Sequence, residues 1–308
     1  MVAVNKTFLG VCAAGLCVGV AVAGIGPSMG RQPKAVSWDH QGLSGIRGID
    51  VSRWQHVDGK HPDFVKLQRQ GVRFVVIKSG DSYSSAHSEA GYWYARDKAA
   101  VKRAGMLVGA YYYAVPTSNS GRVVRDARAQ ARKASARVGG QLPKGHLPLA
   151  LDLETDATSL NRSDLTRWAI AWLRVVERRT GRTPWFYTYT DYLNRRLLPD
   201  PALTKYPLWH ANWGLYLDQE PLQPRGWPTS PWRVWQFTDS GRLAGSGSRV
   251  LDLNVYRGTA EELLAEAGLA PKAAQKYDLP RGEDATVEPS AAPSGTASPT
   301  PVASPTGQ

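Results

Sequence analysis

Between about residues 45 and 265, hydrophobic and polar positions fall into two alternating patterns. Eight short runs rich in β-branched and aromatic residues stand out: GIRGIDVS (45 to 52), VRFVVIKS (72 to 79), MLVGAYYYAV (106 to 115), LPLALDLE (147 to 154), TPWFYTY (183 to 189), YPLWHAN (206 to 212), WRVWQFT (232 to 238) and RVLDLNVY (249 to 256). Several are continuously apolar, as strands covered on both faces of a parallel sheet must be, so the runs predict eight strands. Helical stripes separate the early ones. Over 122 to 138, Val124, Ala127, Ala131, Ala134 and Val138 recur at helical spacing, with Arg122, Arg125, Arg128, Arg132, Lys133 and Arg137 on other faces. Over 162 to 179, Leu165, Trp168, Ala169, Trp172, Leu173 and Val176 do the same, with Asn161 or Ser163 as N-cap and Gly181 past the end. After about residue 200 the helical pattern stops, and Pro, Gly and Trp loops join the last strands. A βα alternation that lapses before its end predicts one irregular TIM-like α/β barrel, complete in strands and short of helices.

The chain ends read differently. Lys6 precedes an uncharged run of small apolar residues containing Ala21-Val22-Ala23, which predicts a secretory signal over 1–23 and an extracellular protein. An uncleaved anchor is the alternative. Residues 24–44 are expected to form a linker, 45–265 the barrel, and 266–308 a Pro/Ser/Thr/Ala-rich tail. Within that tail, 20 of the last 24 residues are Pro, Ser, Thr, Ala or Gly, too few apolar groups to offset ordering entropy.

Composition narrows the chemistry. The only cysteines, Cys12 and Cys17, lie in the N-terminal run, so the barrel has no disulfide framework or thiol nucleophile. The 6 histidines show no metal-ligand spacing, and no cofactor is implied. With 38 Lys and Arg against 26 Asp and Glu, the formal charge of +12 favours a polyanionic partner. Charge alone does not choose among nucleic acid, anionic lipid and acidic wall polymer.

Acidic residues recur at predicted strand ends. In Leu151-Asp152-Leu153-Glu154, residues two apart on a strand point the same way, so Asp152 and Glu154 share one face, at the end where α/β barrels carry their active sites. Crowding and burial are expected to raise one carboxyl pKa and give a proton donor beside a carboxylate, the equipment of glycosidic cleavage. Asp50 and Asp252 sit among apolar neighbours in two more strands, where a charge is costly unless it faces a polar cavity. Trp54, Tyr111, Tyr112, Tyr113, Tyr187, Tyr189, Trp209, Trp213 and Trp235 supply aromatic planes for a saccharide groove. His210 is read either as a substrate contact or as a packed strand-end residue.

The ordered series Gly48-Ile49-Asp50-Val51-Ser52-Arg53-Trp54-Gln55, Phe74-Val75-Val76-Ile77-Lys78, Gly109-Ala110-Tyr111, Asp152-Leu153-Glu154, Pro207-Leu208-Trp209, Trp235-Gln236-Phe237 and Leu251-Asp252-Leu253-Asn254 closely resembles glycoside hydrolase family 25, the Chalaropsis-type lysozymes. The resemblance covers about residues 45 to 262. It implies a (β/α)5(β)3 barrel that hydrolyses the β-1,4 bond between N-acetylmuramic acid and N-acetylglucosamine in peptidoglycan. Carried over by position, Glu154 is the general acid, Asp152 stabilises the reacting centre, and Asp50 and Asp252 complete the acidic cluster. Tyr111, Lys78, Asp81, Tyr113, Tyr187, Trp209 and Gln236 are the implied substrate contacts. One departure stands out: members often read Lys-Ala-Thr/Ser-Glu-Gly after the second strand, where this chain has Lys78-Ser79-Gly80-Asp81-Ser82.

The resulting expectation is a secreted, monomeric muramidase acting on peptidoglycan strands, its basic surface held near anionic wall polymers, with no metal or cofactor. A chitinase or endo-β-N-acetylglucosaminidase is the neighbouring alternative; Ala150 and Pro148 stand where those enzymes carry further acids. A catalytically weak wall-binding module is the alternative of another class. Nucleic-acid binding rests on net charge alone, without a motif, and is not expected.

Overall fold

A computed structural model describes residues 45–83, 89–213, 227 and 232–280. The expected signal segment, the linker and the chain from 281 onward lie outside the described residues. Strands form at all eight apolar runs: β1 (Ile46–Val51), β2 (Phe74–Asp81), β3 (Leu107–Tyr113), β4 (His146–Asp152), β5 (Phe186–Tyr189), β6 (Leu208–Ala211), β7 (Val234–Gly241) and β8 (Leu251–Tyr256). They close in chain order into one barrel. Strands β1 to β7 pair in parallel, while β8 runs antiparallel to both β7 and β1.

Helices α1 (Phe64–Arg69), α2 (Glu89–Arg103), α3 (Val123–Arg137), α4 (Arg162–Thr180) and α5 (Thr190–Arg196) follow the first five strands in turn. Helix α4 starts where its cap predicts: Asn161 accepts from the Asp164 amide, and Gly181 ends it in the left-handed conformation at φ 69°. Helix formation does not stop at residue 200, however. A single turn, α6 (Pro201–Thr204), and α7 (Ala260–Glu266) lie beyond it. Helix α7 is too short to show periodicity and is set instead by a capping box between Thr259 and Glu262.

Strand alternation splits the core in two. Ile49, Val75, Val108, Leu151 and Leu253 face outward beneath the helices. Ile46, Phe74, Leu107, Leu147, Trp185 and Tyr256 fill the barrel interior. Gly48 is what lets the Phe74 ring occupy the axis, since a Cβ there would stand 2.1 Å from the ring.

The tail boundary expected at 266 moves to about 280. Residues 271–277 form a 3₁₀ turn, Tyr277 and Leu279 are buried against the interior cluster, and Arg73 pairs with Asp278 at 2.6 Å. The few apolar residues of this stretch suffice because they close the barrel's lower end.

Candidate active site

In a parallel barrel the C-terminal strand ends meet at one mouth, and β8, running the other way, brings its N-terminal end there. Asp50 near the end of β1 is therefore the register partner of Asp252, the second residue of β8. Asp152 ends β4, in register with Tyr113 of β3 and Tyr187 of β5. Together these strand ends enclose a cleft of ≈ 290 Å³ lined by Asp50, Asp152, Glu154 and Asp252 with Tyr111, Tyr187, Trp209 and Gln236. Four acids and four of the expected contacts thus converge, joined by Trp54 and Trp213.

Asp50 is held by two side-chain amides. Gln236 Nε2 donates to its Oδ2 at 2.9 Å and Asn254 Nδ2 at 2.7 Å. Each amide is oriented in turn: Tyr187 and Trp213 donate to Gln236 Oε1 at 3.0 and 3.1 Å, and Trp209 Nε1 donates to Asn254 Oδ1 at 2.7 Å. Burial pushes the Asp50 carboxyl up to about 6 against these bonds. Glu154 is half-buried at the mouth; burial, with the Asp50 charge second, pushes it up to about 7, opposed by Lys78. Asp152 is buried and held well above the carboxylate range, by desolvation first and by Glu154 next. Its Oδ1 has no hydrogen-bond partner among the described residues. A buried acceptor without a partner is costly, and one that faces a cleft is open to a ligand donor.

Lys78, Asp81 and Tyr113 are not among the lining residues. Lys78 Nζ lies 3.4 Å from Asp81 and over the Tyr113 ring, so these three expected contacts pack on one another rather than in the lining. Trp235 and Tyr112 do not join the groove either. Both face outward, Trp235 beside Trp232 and Phe237, Tyr112 beside Trp172, because their strand neighbours Gln236 and Tyr111 take the inward positions. Tyr189 packs against Tyr192. His210 is fully buried outside the cleft, its Nε2 2.8 Å from Thr190 Oγ1, and burial pushes it down to about 4.

The sequence reading missed Ser52, Gln55, Asp239 and Val250 in the lining, and Asn254 as a ligand of Asp50. For Asn254 a signal existed: it lies two residues after Asp252 and so shares its face.

Comparison with known proteins agrees with the barrel fold. The family described as glycosyl hydrolases family 25 matches residues 49–246. Lysozyme M1 of Streptomyces globisporus is 29% identical over 262 residues, 81% of this chain and 82% of that protein. The uncharacterised Escherichia coli protein YegX is 31% identical over 221 residues, 71% of this chain and 72% of its own. Among solved structures, the bacterial lysozyme from Streptomyces coelicolor matches with a TM-score of 0.59 at 28% identity, covering 73% of this chain and 97% of that one. The muramidase from Acremonium alcalophilum matches at 0.58 and 28% identity, with 72% and 98% covered.

Proposed function

Because the chain belongs to glycosyl hydrolase family 25, whose signature spans residues 49–246, we propose that it is a secreted muramidase working through the Asp152–Glu154 pair. The bond cut is the β-1,4 link from N-acetylmuramic acid to N-acetylglucosamine in peptidoglycan. One observation carries the residue assignment: Glu154, at the mouth of the cleft, keeps its proton up to about 7 beside the buried Asp152, whose Oδ1 has no partner among the described residues.

In this reading Glu154 gives its proton to the glycosidic oxygen as the bond to the anomeric carbon breaks, so the leaving sugar departs as a neutral alcohol. The matching of donor pKa to neutral pH maximises the protonated fraction without making the acid too weak. Asp152 accepts the N–H of the substrate acetamido group and stabilises the positive charge that develops at the anomeric carbon; water then adds to that carbon and gives its second proton to the carboxylate pair, which restores the acid. Asp50 and Asp252 keep the pair electrostatically crowded. Tyr111, Tyr187 and Trp209, whose rings meet edge to face at 4.8 and 6.1 Å, give the sugar a rigid aromatic floor. Secretion is supported by the apolar N-terminal run and by a substrate that lies outside the membrane.

The test is to incubate the protein with purified peptidoglycan, reduce the released ends with borohydride and identify the reduced sugar by mass spectrometry. Reduced muramic acid is the expected product. Reduced glucosamine would make the protein a glucosaminidase, and tight binding without release would make it a wall-binding module.

A further inference from the structure

Helices α3 and α4 pack side by side on one flank of the barrel. With Arg122, which precedes α3, they carry 11 basic and 3 acidic residues, an excess of eight out of the chain's net twelve. All three acids are already engaged: Asp126 accepts from Trp168 Nε1 at 2.7 Å, Asp164 pairs with Arg167 at 3.4 Å, and Glu177 accepts from Tyr206 at 3.0 Å. Arg125, Arg128 and Arg132 stand exposed along the outer ridge of α3, and Arg174, Arg178 and Arg179 along α4. Among the described residues, no carboxylate lies within ion-pair distance of any of these six. Like charges three and four residues apart destabilise a helix, so folding alone gives no reason for the ridge.

We infer that this flank is a docking surface for a linear phosphodiester polymer of the cell wall, an inference that rests on the wall-directed reading above. The ridge from Arg125 to Arg132 runs about 10 Å along the helix, long enough for successive phosphates and too long for one small anion. Guanidinium forks bind phosphate oxygens bidentately, and every one of the six is arginine rather than lysine. A nucleic acid fits worse: the helix aromatics Trp168 and Trp172 are fully buried, leaving no stacking platform. A membrane fits worse too, since no large hydrophobic residue of either helix is exposed for insertion. The helices stand outside the barrel wall while the cleft opens at the strand ends, so a polymer held on the flank leaves the cleft free.

The experiment measures dissociation constants of the full chain for a purified polyol-phosphate wall polymer over a series of salt concentrations. The parent is compared with the triple variant Arg125→Gln, Arg128→Gln, Arg132→Gln. The parent is expected to bind with a steep salt dependence, and the variant about tenfold more weakly with a shallower slope. Both are expected to hydrolyse wall stripped of phosphate polymer at equal rates, which also reports that the variant is folded. Equal affinity of parent and variant would overturn the inference, as would binding of duplex DNA or anionic vesicles by the parent as tight as its binding of the polymer. A parent that binds the polymer but releases no sugar from stripped wall would sink the muramidase reading and leave the docking surface standing.

Discussion

Asp50 and Asp252 face each other as register partners across the antiparallel β1–β8 pair, and both line the cleft. Burial pushes both carboxyls up, Asp50 to about 6 and Asp252 well above its ordinary value. Burial is the larger cause of the rise at Asp252, with the Asp50 charge second. Asn at position 50 removes a charge that helps to hold Glu154 up at about 7. Asp50→Asn is therefore expected to move the alkaline limb of the kcat/KM profile to lower pH, because the donor then loses its proton sooner. Asp252→Asn is expected to leave that limb near its parental position. A kcat/KM profile on soluble glycan decides; an unmoved limb in Asp50→Asn would show that the two carboxyls are not coupled.

Glu154→Gln deletes a proton donor while keeping its shape. Turnover is expected to fall by about 10²–10⁴-fold, with glycan binding retained. Asp152→Asn is expected to lose a comparable amount, since in the proposed mechanism Asp152 stabilises the reacting centre. Asp81→Asn, off the cleft lining and paired with Lys78, is expected to lose much less. Sugar release under saturating substrate, paired with binding to an undigested fragment, separates these outcomes. Full turnover by Glu154→Gln would place the donor elsewhere.

The same carboxyl ties stability to pH. Glu154 has its folded pKa raised from 4.5 to about 7, so the native state holds a proton that the unfolded chain releases. Its contribution is fully present below the unfolded value and is lost as pH rises through the folded one. Removing the charge by Glu154→Gln is therefore expected to stabilise the protein above about pH 7, by on the order of 1–2 kcal/mol, and to change little near pH 4. Thermal unfolding of parent and variant at the two pH values measures the difference. Equal Tm shifts at both would mean that burial does not hold the proton on this group.

How much of this was legible in the sequence depended on which physical signal each residue left. Val75, Leu151 and Leu253 announce strands because both faces of a barrel wall are covered, and Asp152 and Glu154 announce a shared face because the strand period is two. The reversed direction of β8 leaves no trace in hydropathy, yet it is what brings Asp252 opposite Asp50. Ser52 and Gln55 reach the cleft from the loop and 3₁₀ turn after β1, where no period applies. Trp235 and Gln236 were both read as groove residues although adjacent strand positions cannot face the same way, an error that alternation alone corrects. Tyr277 and Leu279 were lost in a tail judged by composition, where two buried side chains decide the outcome.

The barrel axis offers a test of the fold independent of the site. A Cβ at Gly48 would stand 2.1 Å from the Phe74 ring, a distance no rotation of a buried aromatic relieves. Gly48→Ala is expected to destabilise the protein by about 1–3 kcal/mol, the cost of overpacking a filled core. Phe74→Leu on its own leaves a void and is expected to cost a similar amount. Combined, the added methyl enters the space that the smaller side chain vacates, so the double variant is expected to be more stable than the sum of the single losses predicts. Denaturant midpoints for the four proteins measure this coupling. Strict additivity would mean that the Phe74 ring does not rest on Gly48, and that the barrel interior is packed some other way beneath the cleft.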